Sequence, residues 1–256
     1  MARAALYIAG EDAAKVDVER SLEVLDKLAE DVGLAMESSI GPATAVEKLS
    51  LVLGVKKGFK GDSNDYYNPS NAFLDQALER KKGLPIILSL VYMEVGSRLG
   101  MEFEAVGLPG HLVIRLRDRG PEVYLDPFNR GRLMTRDDCM EQIGRMYGGR
   151  VELVDEHFEP YSKKQFLIRL LANLKNIYIR LKDYPKAIAA ADRVALIDPH
   201  MGSNLKERAW MFNRVRQYRR AIEDLETYLR LEPDAKDARR VRGQVRTLWK
   251  TIATLN

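Results

Sequence analysis

Cysteine occurs once in the 256 residues, at Cys139, so no internal disulfide framework exists and the chain suits a reducing compartment. Histidine is nearly as scarce. His111, His157 and His200 lie in unrelated segments, and neither a metal-ligand spacing nor a Gly-rich phosphate loop accompanies them, so no metal and no cofactor is expected. Long apolar runs are missing too. The run Ala4 to Ala9 near the start is too short for a secretory signal or a membrane span, and no later run approaches membrane length. The expectation is a cytoplasmic protein with no membrane partner. Charge of one sign is also lacking overall, because 41 Lys and Arg face 37 Asp and Glu, a formal +4. Its distribution is uneven: residues 201–256 hold 13 basic and 7 acidic side chains, which leaves −2 for the first 200.

What is present suits one large domain or two small ones, with a hydrophobic fraction of 46% that is ordinary for a full core. Asp17 is placed to cap a helix whose Val18, Leu22, Leu25, Leu28 and Val32 share one face. A second helix starts at Pro42 and carries Val46, Leu49 and Leu53 before Gly54 weakens it. The Gly/Asn/Asp/Ser loop GFKGDSNDYYNPS follows, with Ser70 or Asn71 as the expected cap of the helix NAFLDQALERK.

The central stretch runs from Gly83 to Phe128. A Leu-Pro pair opens a helix that is apolar on nearly every side, as a helix enclosed by other elements should be, and Gly100 ends it. FEAVGL, HLVIRL and EVYLD are short, rich in β-branched residues and parted by Gly/Pro turns, which predicts a small antiparallel sheet with a turn at residues 118–121. A helix is predicted from about Arg136 to Met146, with Cys139 on it, and Gly148-Gly149 breaks the chain after it.

From Ser162 the pattern is helical, and an offset of 34 residues lays Tyr184 on Tyr218, Ala187-Ile188 on Ala221-Ile222 and Pro199 on Pro233. That offset is the tetratricopeptide period. Two such repeats and a final helix leave an apolar face uncovered, so docking on the preceding segment through Phe166, Leu167 and Leu170 is expected. Arg239, Arg242, Arg246 and Lys250 share one face of the last helix, and Arg214, Arg216, Arg219 and Arg220 cluster near the second repeat's turn. Such a surface suits an acidic peptide, although a solvated face balanced by neighbouring Asp and Glu is the simpler reading. Nucleic acid is not expected, since no nucleic-acid motif accompanies the arginines.

The runs GFKGDSNDYYNPSNAFLDQALERKKGLPI, VGLPGH and LDPFNRGRLMTRDDC, in this order and ahead of the 34-residue repeats, resemble the bacterial Sir-B type family. There a transglutaminase-like domain with a papain-like core precedes tetratricopeptide repeats. The resemblance implies an α+β fold. Residues 1–158 would form a helix-rich transglutaminase-like domain with a small antiparallel sheet, and residues 159–256 an all-α repeat segment of two repeats plus a capping helix. It also implies a triad, in which His111 matches the catalytic His and Asp126 the acid. Counting back from Gly100, Pro85 fills the position of the nucleophilic Cys. Tyr66, Tyr67, Asn71, Gly110 and Phe128 would line the cleft with these three, although packing over the next helix is the simpler reading of the tyrosines.

Two functional classes follow. The first is a non-catalytic scaffold or regulatory protein that binds a protein or peptide through the cleft, the repeats or both. The second is a hydrolase or acyltransferase of protease or transglutaminase type, using His111 and Asp126 with a water or an unidentified nucleophile. Ser89 lies about one helical turn beyond Pro85, too deep for direct replacement, and is expected to bond its own preceding carbonyl. Cys139 follows both partners and does not open the helix, so it is read as a plain helix thiol.

Overall fold

The computed structural model describes residues 1–10, 16–37, 42–118 and 120–255. They form two compact units, Met1–Leu167 and Ile168–Asn256.

The first unit is α+β. Helices α1 (Ala2–Gly10), α2 (Val18–Met36), α3 (Pro42–Ser50) and α4 (Leu74–Arg80) precede the buried helix α5 (Pro85–Arg98). Asp17 caps α2 as expected, its carboxylate accepting the Arg20 N–H at 3.0 Å. The α-helix stops at Ser50, and Gly54 falls in the segment beyond it. The chain widens there into a π-helical turn, Leu51–Lys56, and a Cβ at residue 54 would lie 1.8 Å from the Arg130 carbonyl oxygen. The glycine is there for close backbone approach. Ser70 and Asn71 do not cap α4 either. Asn68 caps the short 3-10 turn Pro69–Ala72, and α4 begins after Phe73 with no side-chain cap.

The sheet is antiparallel, in the order β3 (Phe103–Val106), β4 (Val113–Leu116), β5 (Tyr124–Asp126), β6 (Arg132–Met134). The predicted turn between β4 and β5 includes residue 119, which lies outside the described residues. Strand β6 escapes a pattern reading because two of its three residues are exposed. So does the parallel pair β1 (Lys60–Gly61) and β2 (Lys82–Gly83), which is too short to show any period. Helix α5 is buried on almost every side, through Ile86, Ile87, Leu88, Leu90, Val91, Tyr92 and Val95. Behind the sheet, helix α6 (Arg136–Tyr147) closes a second apolar cluster that includes Val106, Val113, Tyr124, Cys139 and Phe158. A reciprocal Thr135–Asp138 capping box starts α6, and left-handed Gly148 ends it.

The second unit is all helical. Helix α7 (Lys163–Leu181) crosses from the first unit, and α8 (Tyr184–Ile197), α9 (Gly202–Arg214), α10 (Tyr218–Leu231) and α11 (Ala238–Leu255) follow. The 34-residue period appears in the backbone, since Lys182 and Arg216 are both left-handed, with φ of 61° and 59°. Ala187 and Ala221, both fully buried, let the paired helices approach. Arg208 on α9 reaches Asp192 on α8 at 2.9 Å and Asp224 on α10 at 2.6 Å, tying three helices through one guanidinium. Among the described residues, no helix is long and apolar enough to cross a membrane.

Candidate functional site

Two turns set the geometry of His111 and Asp126. Leu108-Pro109-Gly110 brings the chain to β4 with Pro at the second turn position and Gly110 at φ 68°, and the His111 N–H closes the turn on the Leu108 carbonyl at 3.1 Å. His111 therefore precedes β4, which begins at Val113 rather than at the histidine. At the end of β5, Asp126 caps the 3-10 turn Pro127–Asn129 by accepting the Asn129 N–H at 3.2 Å. The β4–β5 register pairs Ile114 with Leu125, so it sets Asp126 against Val113 and puts His111 on the same face, two residues away.

The result is a hydrogen-bonded dyad. His111 Nε2 lies 2.8 Å from Asp126 Oδ2, with His111 7% and Asp126 0% exposed. The same oxygen accepts the Asn129 side-chain amide at 2.7 Å and that of Gln142, on α6, at 3.4 Å. Burial alone would raise the Asp126 carboxyl, but the bonds from His111 and Asn129 outweigh it and hold the group below the usual carboxylate range. An ionised Asp126 can only accept, so Nε2 carries its hydrogen, and a neutral His111 presents the Nδ1 lone pair away from Asp126.

This charge has a stability consequence. Because the folded carboxyl titrates below the unfolded one, Asp126 contributes stability above the unfolded value of about 3.9, and that stability is lost as pH falls through the folded value. Asp126→Asn should therefore flatten the acid limb of a pH–Tm curve below about pH 4. An unchanged acid limb would remove Asp126 as its source.

A row of rings leads away from His111. Phe128 sits edge-on to His111 at 6.4 Å between centroids and to Tyr66 at 6.0 Å, and Tyr66 meets Tyr67 at 5.2 Å. Tyr67 is exposed. Asn71 is fully buried, and its polar atoms are occupied: its amide donates to the Asp65 carbonyl, its side-chain oxygen accepts from Arg80, and its backbone carbonyl receives the Leu84 N–H just before α5. Gly110 faces the Tyr147 hydroxyl, 2.4 Å from where a Cβ would stand. Pro85 takes the first position of α5.

The other nucleophile candidates are placed as follows. Ser89 is fully buried, and its hydroxyl makes no hydrogen bond, contrary to the expected bond to its own helix. Cys139 is fully buried, and burial, with the charge of Asp126, pushes its thiol up to about 12. Asn129 and Gln142 were not anticipated. The Asp-Pro-Phe-Asn turn is a local signal for Asn129, whereas only tertiary packing brings Gln142 to the carboxylate.

A second candidate lies wholly in the repeat unit. A cavity of about 650 Å³ opens among α7, α9, α10 and α11, with Ile179, Trp210, Leu225, Val241 and Leu248 on its walls and Arg240 and Gln244 among its polar lining. Trp210 is 40% exposed and is held edge-on by Tyr184 at 5.6 Å. Arg239, Arg242, Arg246 and Lys250 occupy the exposed side of α11. Among the described residues none of the four makes an ion pair with a carboxylate, and Arg242 bonds the Pro233 carbonyl at 3.2 Å.

Comparison with known proteins agrees with this layout. Residues 19–172 match the model of the transglutaminase-like superfamily, and residues 174–246 match a tetratricopeptide repeat model. A UPF0162 protein of Xylella fastidiosa is 31% identical over 193 residues, covering 74% of this chain and 69% of the relative. A UPF0162 protein of Pseudomonas aeruginosa is 28% identical over 238 residues, covering 93% and 87%. F-box only protein 21 of Mus musculus is 30% identical over 140 residues, 52% of this chain and 21% of the relative. The chain belongs to the transglutaminase-like superfamily, with tetratricopeptide repeats following the superfamily domain.

Proposed function

We propose that this protein is a non-catalytic scaffold that binds a protein or peptide partner, built on a transglutaminase-like cleft without its nucleophile and on a repeat groove. The observation that carries the reading is that α5 opens on Pro85, a side chain with neither thiol nor hydroxyl. The two other nucleophile candidates do not replace it, since the Ser89 hydroxyl is sealed in the core and the Cys139 thiol is held protonated by burial. A His–Asp pair polarises nothing covalent without a group to deprotonate. Its retained geometry, with rings alongside, suits recognition of a peptide. In the repeat unit the cavity beside Trp210 has the size and mixed lining of a side-chain pocket.

The test is amine incorporation into casein and hydrolysis of a peptide panel by wild type and His111→Ala. Neither protein should exceed background. A wild-type rate that disappears in His111→Ala would replace this reading with the second one, a hydrolase or acyltransferase in which the Nδ1 lone pair of His111, oriented by Asp126 at 2.8 Å, activates a water. For binding, Trp210→Ala should weaken any peptide selected from an array by about tenfold or more, as loss of a central aromatic anchor does. Unchanged affinity would remove the groove from the proposal.

A further inference from the structure

The ladder β1–β2 lies at a crowd of positive charge that nothing in the dyad uses. Lys60 and Lys82 are direct partners in its parallel register, so their side chains leave the same face from backbones about 4.8 Å apart. Like charges directly opposite one another destabilise a ladder. The carboxylate of Asp62 is buried and shared between Lys82 at 3.8 Å and Arg80 at 3.4 Å. Both separations exceed those of a tight charge-assisted bond, about 2.7 to 2.9 Å. Lys60 has no ion-pair partner among the described residues.

The neighbouring backbone adds to the crowding. Lys81 is left-handed, with φ 58°, a conformation that costs a side chain about 1 kcal/mol. Its ammonium lies 4.7 Å from the centre of the Phe59 ring, and burial followed by the charge of Lys57 lowers its pKa. The face of the ladder away from Lys60 and Lys82 is closed by Phe128, whose ring lies 2.3 Å from where a Cβ on Gly61 would stand. The lysine face is therefore separate from the rings around His111. Lys82 remains 41% exposed at its side chain.

We propose that the β1–β2 ladder binds a phosphoryl group between the ammonium groups of Lys60 and Lys82. Two lysine side chains rooted one strand spacing apart on the same face can close their ammonium groups on the terminal oxygens of a single multivalent oxyanion. Successive carboxylates on one face of an extended peptide would be roughly 6.8 Å apart, a poorer match. The phosphoryl group removes the repulsion between the lysines. The site does not depend on the cleft reading, because it uses none of the residues assigned to the cleft.

The experiment is a thermal-shift titration of the full chain with inorganic phosphate at constant ionic strength, with chloride as the reference, repeated on Lys60→Gln and Lys82→Gln. Wild type should show a saturable rise in Tm. Each variant should need about tenfold more phosphate for the same rise. Lys60→Glu gives a signature that a purely structural lysine would not: Tm without phosphate should rise, because an opposite-charge pair replaces a like-charge one, while the response to phosphate disappears. A phosphoserine peptide compared with its unphosphorylated form identifies the carrier: binding tighter than that of inorganic phosphate assigns the site to a phosphorylated polypeptide, and binding no tighter assigns it to a small phosphate. The proposal is overturned by a wild type with no saturable rise, or by lysine variants that keep the full response. It is equally overturned if the response is lost instead in Arg246→Gln with Lys250→Gln on α11.

Discussion

Pro85→Cys is expected to produce a thiol that reacts with iodoacetamide at pH 6 about tenfold faster than an ordinary cysteine, and to lose that advantage when His111→Ala is added. A first-turn thiol on α5 beside an imidazole is stabilised as thiolate, with a pKa brought from about 8.5 to roughly 6.5. At pH 6 that raises the thiolate fraction from about 0.3% to about 24%, while the weaker nucleophilicity of a more acidic thiol offsets roughly eightfold of the gain. The substitution should cost little stability, because the first helical position does not require proline. The single native thiol does not interfere, since Cys139 is buried and pushed up to about 12. Cys139→Ala removes it without placing a hydroxyl in the apolar cluster around it. Labelling at the ordinary rate in a folded protein would mean that residue 85 does not face His111, and the remnant-triad reading would fall with it.

Gly54→Ala is expected to cost about 3 kcal/mol or more in urea denaturation, far above the usual effect of a single methyl group. The added Cβ would stand 1.8 Å from the Arg130 carbonyl oxygen and 2.5 Å from its carbon, and these are backbone atoms that no rotamer change can move. They belong to the left-handed pair Arg130 and Gly131, with φ of 59° and 72°, directly after the turn that Asp126 caps. Damage at residue 54 should therefore reach the dyad. Gly144→Ala and Gly243→Ala are matched controls, because both lie in helices with open space around them. Each should gain up to about 1 kcal/mol through helix propensity alone. A Gly54→Ala loss of under about 1 kcal/mol would show that the turn can relax away from the added methyl group.

Local chemistry made much of this fold legible without coordinates. Helix starts at Asp17, Pro42 and Pro85 follow from capping side chains and proline's missing N–H, and these depend only on neighbours within a turn. The all-round apolarity of α5 announced its burial, and a 34-residue offset announced paired helices that repeat even their left-handed residues. His111 and Asp126 were legible as a pair only through the resemblance to a transglutaminase-like pattern, and it is the β4–β5 register that brings them to 2.8 Å.

The sequence by itself thus determined the order and type of the main elements, the two architectures and the residue that opens the buried helix. Tertiary structure alone decided what those elements do to one another. Gln142 reaches Asp126 across 16 positions of chain, Lys60 meets Lys82 through strands of two residues, and the Gly54 backbone meets Arg130. None of these leaves a periodic trace, because each is a contact between single residues far apart in the chain. The Ser89 hydroxyl without a hydrogen bond and the Arg242 guanidinium on the Pro233 carbonyl belong with them. Whether a polar group is satisfied depends on which distant atoms fill the space around it, and a sequence records those atoms without recording their positions.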